Sequence, residues 1–350
     1  MPHKIIQEDM EYICKADNIQ WDKLRNKTLL ITGGTGLIGS TLIRGLLLAN
    51  KERQLGLKIK LIVRSLERVK EVFEEAEASD ECMSFICKDL DTPFDIEGDV
   101  DYIIHGASPT ASAYFASHPV ETIKAGIMGT MNLLELAVQK KSDAFLFLSS
   151  MEIYGKVTTE EILTEDKLGY VDPLTIRSCY PETKRMSEAL TASYAHEYGI
   201  RAMNIRLAQT FGPGVLYDDQ RVFAMMARCA MNGENIQLLT KGKSKHPYLY
   251  TAQAATAILT VLLSGQAGKS YNAANPDTYC SIAEMGEMVA EKLGGGKIAV
   301  TFAENGDTSK YPDTTFLNLS IDAITALGWK PEGDLADIYR RMMEVMEAGR

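Results

Sequence analysis

The chain has 350 residues, 45% of them hydrophobic and 24% charged, a composition that suits one or two globular domains with a sizeable core. Its 47 acidic and 37 basic side chains leave a formal charge of -10, which excludes a broadly basic surface that tracks nucleic acid and leaves room only for a local basic pocket. No apolar run reaches the roughly 20 residues that span a bilayer, and the opening MPHKIIQEDM lacks a signal-peptide core, so a cytoplasmic location is expected. The 6 cysteines form no CxxC pair and the 5 histidines no HExxH spacing, so we expect reduced, mostly buried thiols and no metal.

In chain order, residues 1–27 come first, with apolar positions at Ile5, Ile6, Met10, Ile13 and Trp21 that fit an amphipathic helix packed on the domain that follows. Strand-length apolar runs then recur at 28–32, 58–63, 83–87, 100–105, 144–149 and 201–207. Helical stretches such as 37–50, 120–140 and 180–198 separate them, an alternation that predicts an α/β fold, a doubly wound parallel sheet of the Rossmann type covered on both faces. After Gly212-Pro213-Gly214 the alternation lapses into a helix at 221–232, a strand at 236–239 and a helix at 281–293. The expected division is a helical extension (1–27), a dinucleotide-binding domain (28–211) and a smaller α/β lobe (212–350) that chooses the substrate, with about 245–275 packing back on the sheet.

The first strand runs into Gly33-Gly34-Thr35-Gly36-Leu37-Ile38-Gly39 and then a helix. Glycines there allow positive φ and close approach of a pyrophosphate, while the helix start offers free N–H groups and the positive end of its dipole. Strand, turn and helix in that order point to a dinucleotide site. At the end of the second strand stands Arg64, suited to the 2′-phosphate of NADP, where an acidic residue would favour NAD. Glu52 has the expected distance from the turn but precedes that strand, so it cannot hold the ribose.

Tyr180 and Lys184 lie four apart at the start of a predicted helix and share one face, and Ser150 ends a predicted strand, where ligands meet open parallel sheets. A tyrosine titrates near pH 10, so its use as a base at neutrality needs a shift of about 3 pH units, roughly 4 kcal/mol. A nearby ammonium and a positive nicotinamide ring are charges able to supply it.

From residue 28 to about 335 the chain resembles the extended short-chain dehydrogenase/reductase family, in particular its nucleotide-sugar epimerases, dehydratases and decarboxylases. Seven ordered segments carry the resemblance: the 32–39 glycine turn, Asp89-Leu90, His105-Gly106-Ala107-Ser108, Ser149-Ser150-Met151-Glu152-Ile153-Tyr154-Gly155, Tyr180-x-x-x-Lys184, residues 206–213, and Leu327-Gly328-Trp329-Lys330-Pro331. The resemblance implies that Tyr180 takes the proton of a sugar 4-hydroxyl while hydride passes to the nicotinamide. Ser150 would hold the same oxygen, and Lys184 would bind the cofactor ribose and lower the tyrosine pKa. Gly33, Thr35, Gly36, Leu37, Ile38 and Gly39 would cradle the pyrophosphate, Asp89 and Leu90 would flank the adenine, and Ala107 and Ser108 would line the cofactor path. Tyr154 also matches a family position, and a packed aromatic is the better reading of it.

Glu152 matches an acid/base used by dehydratases and present in uronate decarboxylases. Met151, however, replaces the aspartate of the former and the serine of the latter, and a thioether moves no proton. His246 stands where relatives carry an arginine that meets the phosphates or the uronate, and Gln209 stands where they carry asparagine. Arg221 and the lysines at 241, 243 and 245 could neutralise a diphosphate. The leading expectation is an NAD(P)-dependent enzyme that oxidises a nucleotide-diphosphate sugar at its 4-position and works on the ketone. Alternatives are a net NADPH-dependent 4-keto-sugar reductase, a UDP-glucuronate decarboxylase-like enzyme and, last, a non-catalytic NADP sensor. Helices 120–140 and 180–198 resemble those that pair in family dimers, so a homodimer is expected, and the nucleotide and sugar are set by loops near 110, 209–221 and 240–250.

Overall fold

A computed structural model describes residues 3–108, 112–303 and 314–349; the loop expected near residue 110 falls outside the described residues. Seven strands form the central sheet: β1 (Thr28–Thr32), β2 (Lys58–Val63), β3 (Met83–Cys87), β4 (Tyr102–His105), β5 (Ala144–Ser150), β6 (Ala202–Leu207) and β7 (Ser270–Ala273). Their order is β3-β2-β1-β4-β5-β6-β7, with every pair parallel. The order reverses between β1 and β4, so the chain leaves a crevice above their carboxyl ends, where a ligand of an open α/β sheet sits.

The strands are apolar on both faces because both are covered. Along β1, Leu29 and Ile31 enter one core while Leu30 enters the other, the two-residue period of a pleated strand. The first core lies under α2 (Leu37–Arg53) and the helix Thr251–Ser264; the second lies under α3 (Pro119–Lys140) and α4 (Cys179–Tyr198). The helix Thr251–Ser264 is buried at every position but Ser264, so truncating Ile258 or Leu262 to alanine would cost about 2–5 kcal/mol.

The extension folds as α1 (Lys4–Lys15), with His3 accepting from the Ile5 amide at its start. It lies tightly on α2: a methyl group on Gly45 would meet Ile13 at 2.6 Å. Its outer turn is tied to the end of the chain. Asp9, 4% exposed, accepts the Tyr250 hydroxyl at 2.8 Å and the Arg341 guanidinium at 2.9 Å, and Arg341 also bonds Tyr250 and Glu8. Burial raises the Asp9 carboxyl to about 6 against the pull of Tyr250 and Arg341.

Beyond residue 211, Val222–Asn232 and Ile282–Lys292 are helices, and the short strands Lys245–Tyr250 and Asn275–Ser281 join Gln209–Phe211, from just before that point, in a three-stranded sheet. Residues 270–273 return to the large sheet as β7, pairing with β6. Trp329 is 1% exposed and donates to Thr256, pinning the 327–331 segment on the buried helix. All six cysteines are free, but only Cys14 and Cys179 are buried and Cys87 is exposed, which corrects the expectation of mostly buried thiols. Among the described residues no helix is long and apolar enough to cross a membrane.

Candidate active site

The glycine turn has the geometry its sequence requires. Gly33 has φ +77°, and a methyl group there would stand 2.6 Å from the Gly106 backbone; on Gly39 it would stand 2.2 Å from the Gly33 carbonyl. Side chains are therefore excluded from the turn. Gly36 caps α2 without any side-chain hydrogen bond, which leaves the amides of the helix N-terminus for an anion. A dinucleotide pyrophosphate fits this cradle. Ala107 is fixed beside it by its amide, which donates to Thr32 Oγ1 at 3.1 Å; the same hydroxyl meets buried His105 Nδ1 at 2.8 Å. Burial, aided by the Lys184 charge, lowers His105 to about 3, so this imidazole is neutral and structural.

Further round the rim, Arg64 is exposed just past β2 and its guanidinium meets no partner among the described residues. Asp89 and Leu90 follow β3, where the Asp89 carboxylate accepts the Leu90 amide and Asn132 holds the Leu90 carbonyl at 2.8 Å. Ser108 follows Ala107 along the same edge, and Ile38 and Leu37 lie in the first turn of α2.

The residues expected to react gather at the carboxyl end of β5. Ser150 ends the strand, stands near enough to the Tyr180 phenol to favour its charged form, and accepts the Glu152 amide at 3.2 Å. Tyr180 and Lys184 occupy successive turns at the start of α4. Tyr180 is 8% exposed, its ring stacked on Phe115 with centroids 4.4 Å apart. Lys184 donates to the Leu148 carbonyl at 2.7 Å and lies 5.7 Å from the Tyr180 ring centre. Burial lowers its ammonium to about 8, opposed by the Glu188 charge.

The phenol itself moves the other way. Burial first, and the Glu152 charge second, raise the Tyr180 pKa, with Ser150 and Arg177 opposing. Lys184 is therefore not among the groups that lower it, and of the two charges expected to do so the positive nicotinamide ring is the one left to stabilise a phenolate.

Glu152 is not a free carboxylate. Arg177 grips it with two bonds, Nη1 to Oε2 at 2.9 Å and Nη2 to Oε1 at 3.2 Å. The sequence reading did not find Arg177, because it sits in a single 3-10 turn, Ile176–Ser178, too short for any periodicity to mark a face; its place three residues before Tyr180 was the available signal. Tyr154 is a packed aromatic, fully buried, bonded to Asn272 and to Arg206, which in turn pairs with buried Glu188 at 2.8 Å.

The substrate-side residues are more dispersed. Gln209 lies on the short strand beside Tyr248, and His246 lies on the same three-stranded sheet with a buried Nδ1 that meets no partner among the described residues. Burial lowers His246 to about 4, so it carries no charge at neutrality. Arg221 is closed onto Asp219 by a bond of 2.6 Å, and Lys245 pairs with Glu160 at 3.2 Å. Among the described residues no His, Cys, Asp and Glu group could hold a metal ion.

Residues 29–274 match the model of the NAD dependent epimerase/dehydratase family. The chain belongs to that family. It is therefore an NAD-dependent enzyme of the epimerase/dehydratase type, and the two curated relatives described next are similar to it over most of its length. It is 29% identical to UDP-glucuronic acid decarboxylase 6 of Arabidopsis thaliana over 89% of this chain and 86% of that protein. It is 28% identical to UDP-glucuronic acid decarboxylase 1 of Xenopus tropicalis over 87% of this chain and 68% of that protein. Among solved structures, a UDP-N-acetylglucosamine 4-epimerase from Methanobrevibacter ruminantium M1 superposes with a TM-score of 0.77 at 18% identity, covering 93% of this chain and 100% of that one. A dTDP-glucose 4,6-dehydratase from Streptomyces venezuelae gives 0.74 at 19% identity over 92% and 97%. Both share the fold.

Proposed function

We propose that the enzyme oxidises the 4-hydroxyl of UDP-glucuronate and releases its carboxyl group as carbon dioxide from the resulting 4-ketone. The observation that carries the oxidation is the joining of Ser150, Tyr180 and Lys184 at the carboxyl end of β5, beside the glycine cradle. The choice of uronate is supported by the decarboxylases among the similar sequences. When bound, NAD supplies the hydride acceptor and later returns the hydride. Tyr180 accepts the 4-hydroxyl proton, and the Ser150 hydroxyl holds the same oxygen. Lys184, charged below about pH 8, holds the cofactor ribose. Once the 4-ketone stands next to the carbon bearing the carboxylate, the carbon–carbon bond can break with its electron pair delocalised onto the ketone oxygen; a proton from solvent would then replace carbon dioxide at that carbon, and Tyr180 would return its proton to the 4-oxygen as the hydride comes back. Phe115 keeps water from the phenol face.

A second reading rests on Arg64, whose unpartnered guanidinium suits the 2′-phosphate of NADP and, with it, a net 4-keto-sugar reductase. The substrate choice falls to the lobe 212–350, with Gln209 and His246 near its entrance. A homodimer through α3 and α4 fits the apolar side chains these helices expose, Val120 at 56%, Ile123 at 40% and Met186 at 49%. Mass spectrometry decides the reaction. Incubation with UDP-glucuronate should give a product lighter by one carbon dioxide with no net use of added NADPH; an unchanged uronate, or stoichiometric NADPH consumption with a 4-keto sugar, would overturn the decarboxylase reading.

A further inference from the structure

We propose that Arg177 binds the carboxylate of the sugar substrate on the edge of its guanidinium that Glu152 does not use. This rests on the reading of the substrate as a uronate. Arg177 commits two of its five N–H donors to Glu152 and is 41% exposed in its side chain, so three donors remain and solvent reaches them. Its charge acts on Tyr180, as does that of Glu152, so the ion pair lies within electrostatic reach of the phenol that meets the sugar 4-oxygen. The carboxylate of a hexuronate hangs from the carbon next but one to that oxygen. A group that reads it must therefore stand beside the phenol, not at the far end of the cleft.

Lys184, Arg185 and Arg206 are committed elsewhere. Lys184 is buried and donates to the Leu148 carbonyl. Arg185 is spent on the Ile153 and Gly169 carbonyls, and Arg206 on Glu188 and Tyr154. His246 is neutral. Glu152 also needs explaining: a carboxylate beside Tyr180 would repel an anionic sugar, and the bidentate guanidinium both cancels that charge and fixes the plane in which a second carboxylate can dock. Arg177 thus makes the site selective for an acidic over a neutral sugar.

The test compares UDP-glucuronate with UDP-glucose, two ligands that differ at this one group, by calorimetric titration of the NAD-loaded enzyme. Wild type should bind the uronate more tightly. Arg177→Met should weaken UDP-glucuronate by about 10- to 100-fold, the value of a charged hydrogen bond, and leave UDP-glucose within about threefold. Arg177→Lys should recover part of the difference. The decisive arm uses Glu152→Gln as background, where Arg177→Met should still abolish the preference for the uronate. Retention of the preference in Arg177→Met, or its loss only when Glu152 is present, would overturn the proposal and leave Arg177 as a clamp for Glu152. A wild-type enzyme that binds UDP-glucuronate selectively but releases no carbon dioxide would count against the decarboxylase reading and not against the anchor. No selectivity in wild type would sink the anchor itself.

Discussion

Two tyrosines in this protein sit in buried polar networks, and they are finished differently. Tyr250 donates to both oxygens of Asp9 at 2.8 Å and accepts from Arg341 at 2.8 Å, so its hydroxyl has donor and acceptor and the carboxylate has its cation. Tyr180 has Ser150 nearby, with Lys184 turned to a carbonyl and Glu152 turned to Arg177. Burial raises both phenols. The closed network ties α1 to the last helix, Leu335–Ala348; the open one keeps a hydroxyl, an ammonium and part of a guanidinium in reserve. Unspent hydrogen-bonding capacity, more than a shifted pKa, marks the reactive tyrosine.

Substitutions that exchange the fates of the two sites test this contrast. Tyr180→Phe should lower turnover by about 10²- to 10⁴-fold while the melting temperature and NAD binding stay as in wild type, since it removes the proton acceptor and no structural contact beyond Ser150. At the other site the losses should be in stability. Arg341→Met leaves Asp9 buried without its cation and should cost about 3 kcal/mol in urea unfolding, with turnover unchanged. Tyr250→Phe removes one hydrogen-bonding hydroxyl and should cost about 1–2 kcal/mol, again with little effect on turnover. A large catalytic defect in either would show that the two networks are coupled.

The smallest effect is a pH dependence. Asp9 titrates at about 6 in the fold against 3.8 in a model peptide, so its contribution to stability is full below about pH 4 and is lost as pH rises through about 6. Asp9→Asn should flatten that part of the stability profile, shifting melting temperatures by a few degrees between pH 4 and 7. An unchanged slope would mean that Asp9 is ionised across this range and that Arg341 outweighs its burial.

The sheet was legible because burial on both faces writes parallel strands as continuous apolar runs. β1, β2 and β3 begin and end where their residues predict. β4 begins at Tyr102, not Val100, because Asp101 turns aside to accept the Thr28 amide and Lys27. β7 carries no such signal: Ser270 and Asn272 interrupt it, and Asn272 is buried only because the Leu163 and Ser320 carbonyls and the Tyr154 hydroxyl satisfy its amide. At the site, the glycine turn and the Tyr180/Lys184 pair are local patterns fixed by a turn and by helical spacing, and they stand out in a single chain. The Arg177–Glu152 pair joins residues 25 apart across a loop, and Phe115 reaches Tyr180 from another element, so neither leaves a periodic trace. Arg221 has a closer lesson: Asp219, two residues away, claims its guanidinium.

Stopped-flow absorbance at the reduced-nicotinamide band, after mixing the NAD-loaded enzyme with UDP-glucuronate, tests the central assignment most directly. We predict a transient rise that decays as carbon dioxide is released, and its absence in Tyr180→Phe. Product formation with no such rise in wild type, or an equal rise in Tyr180→Phe, would contradict the account.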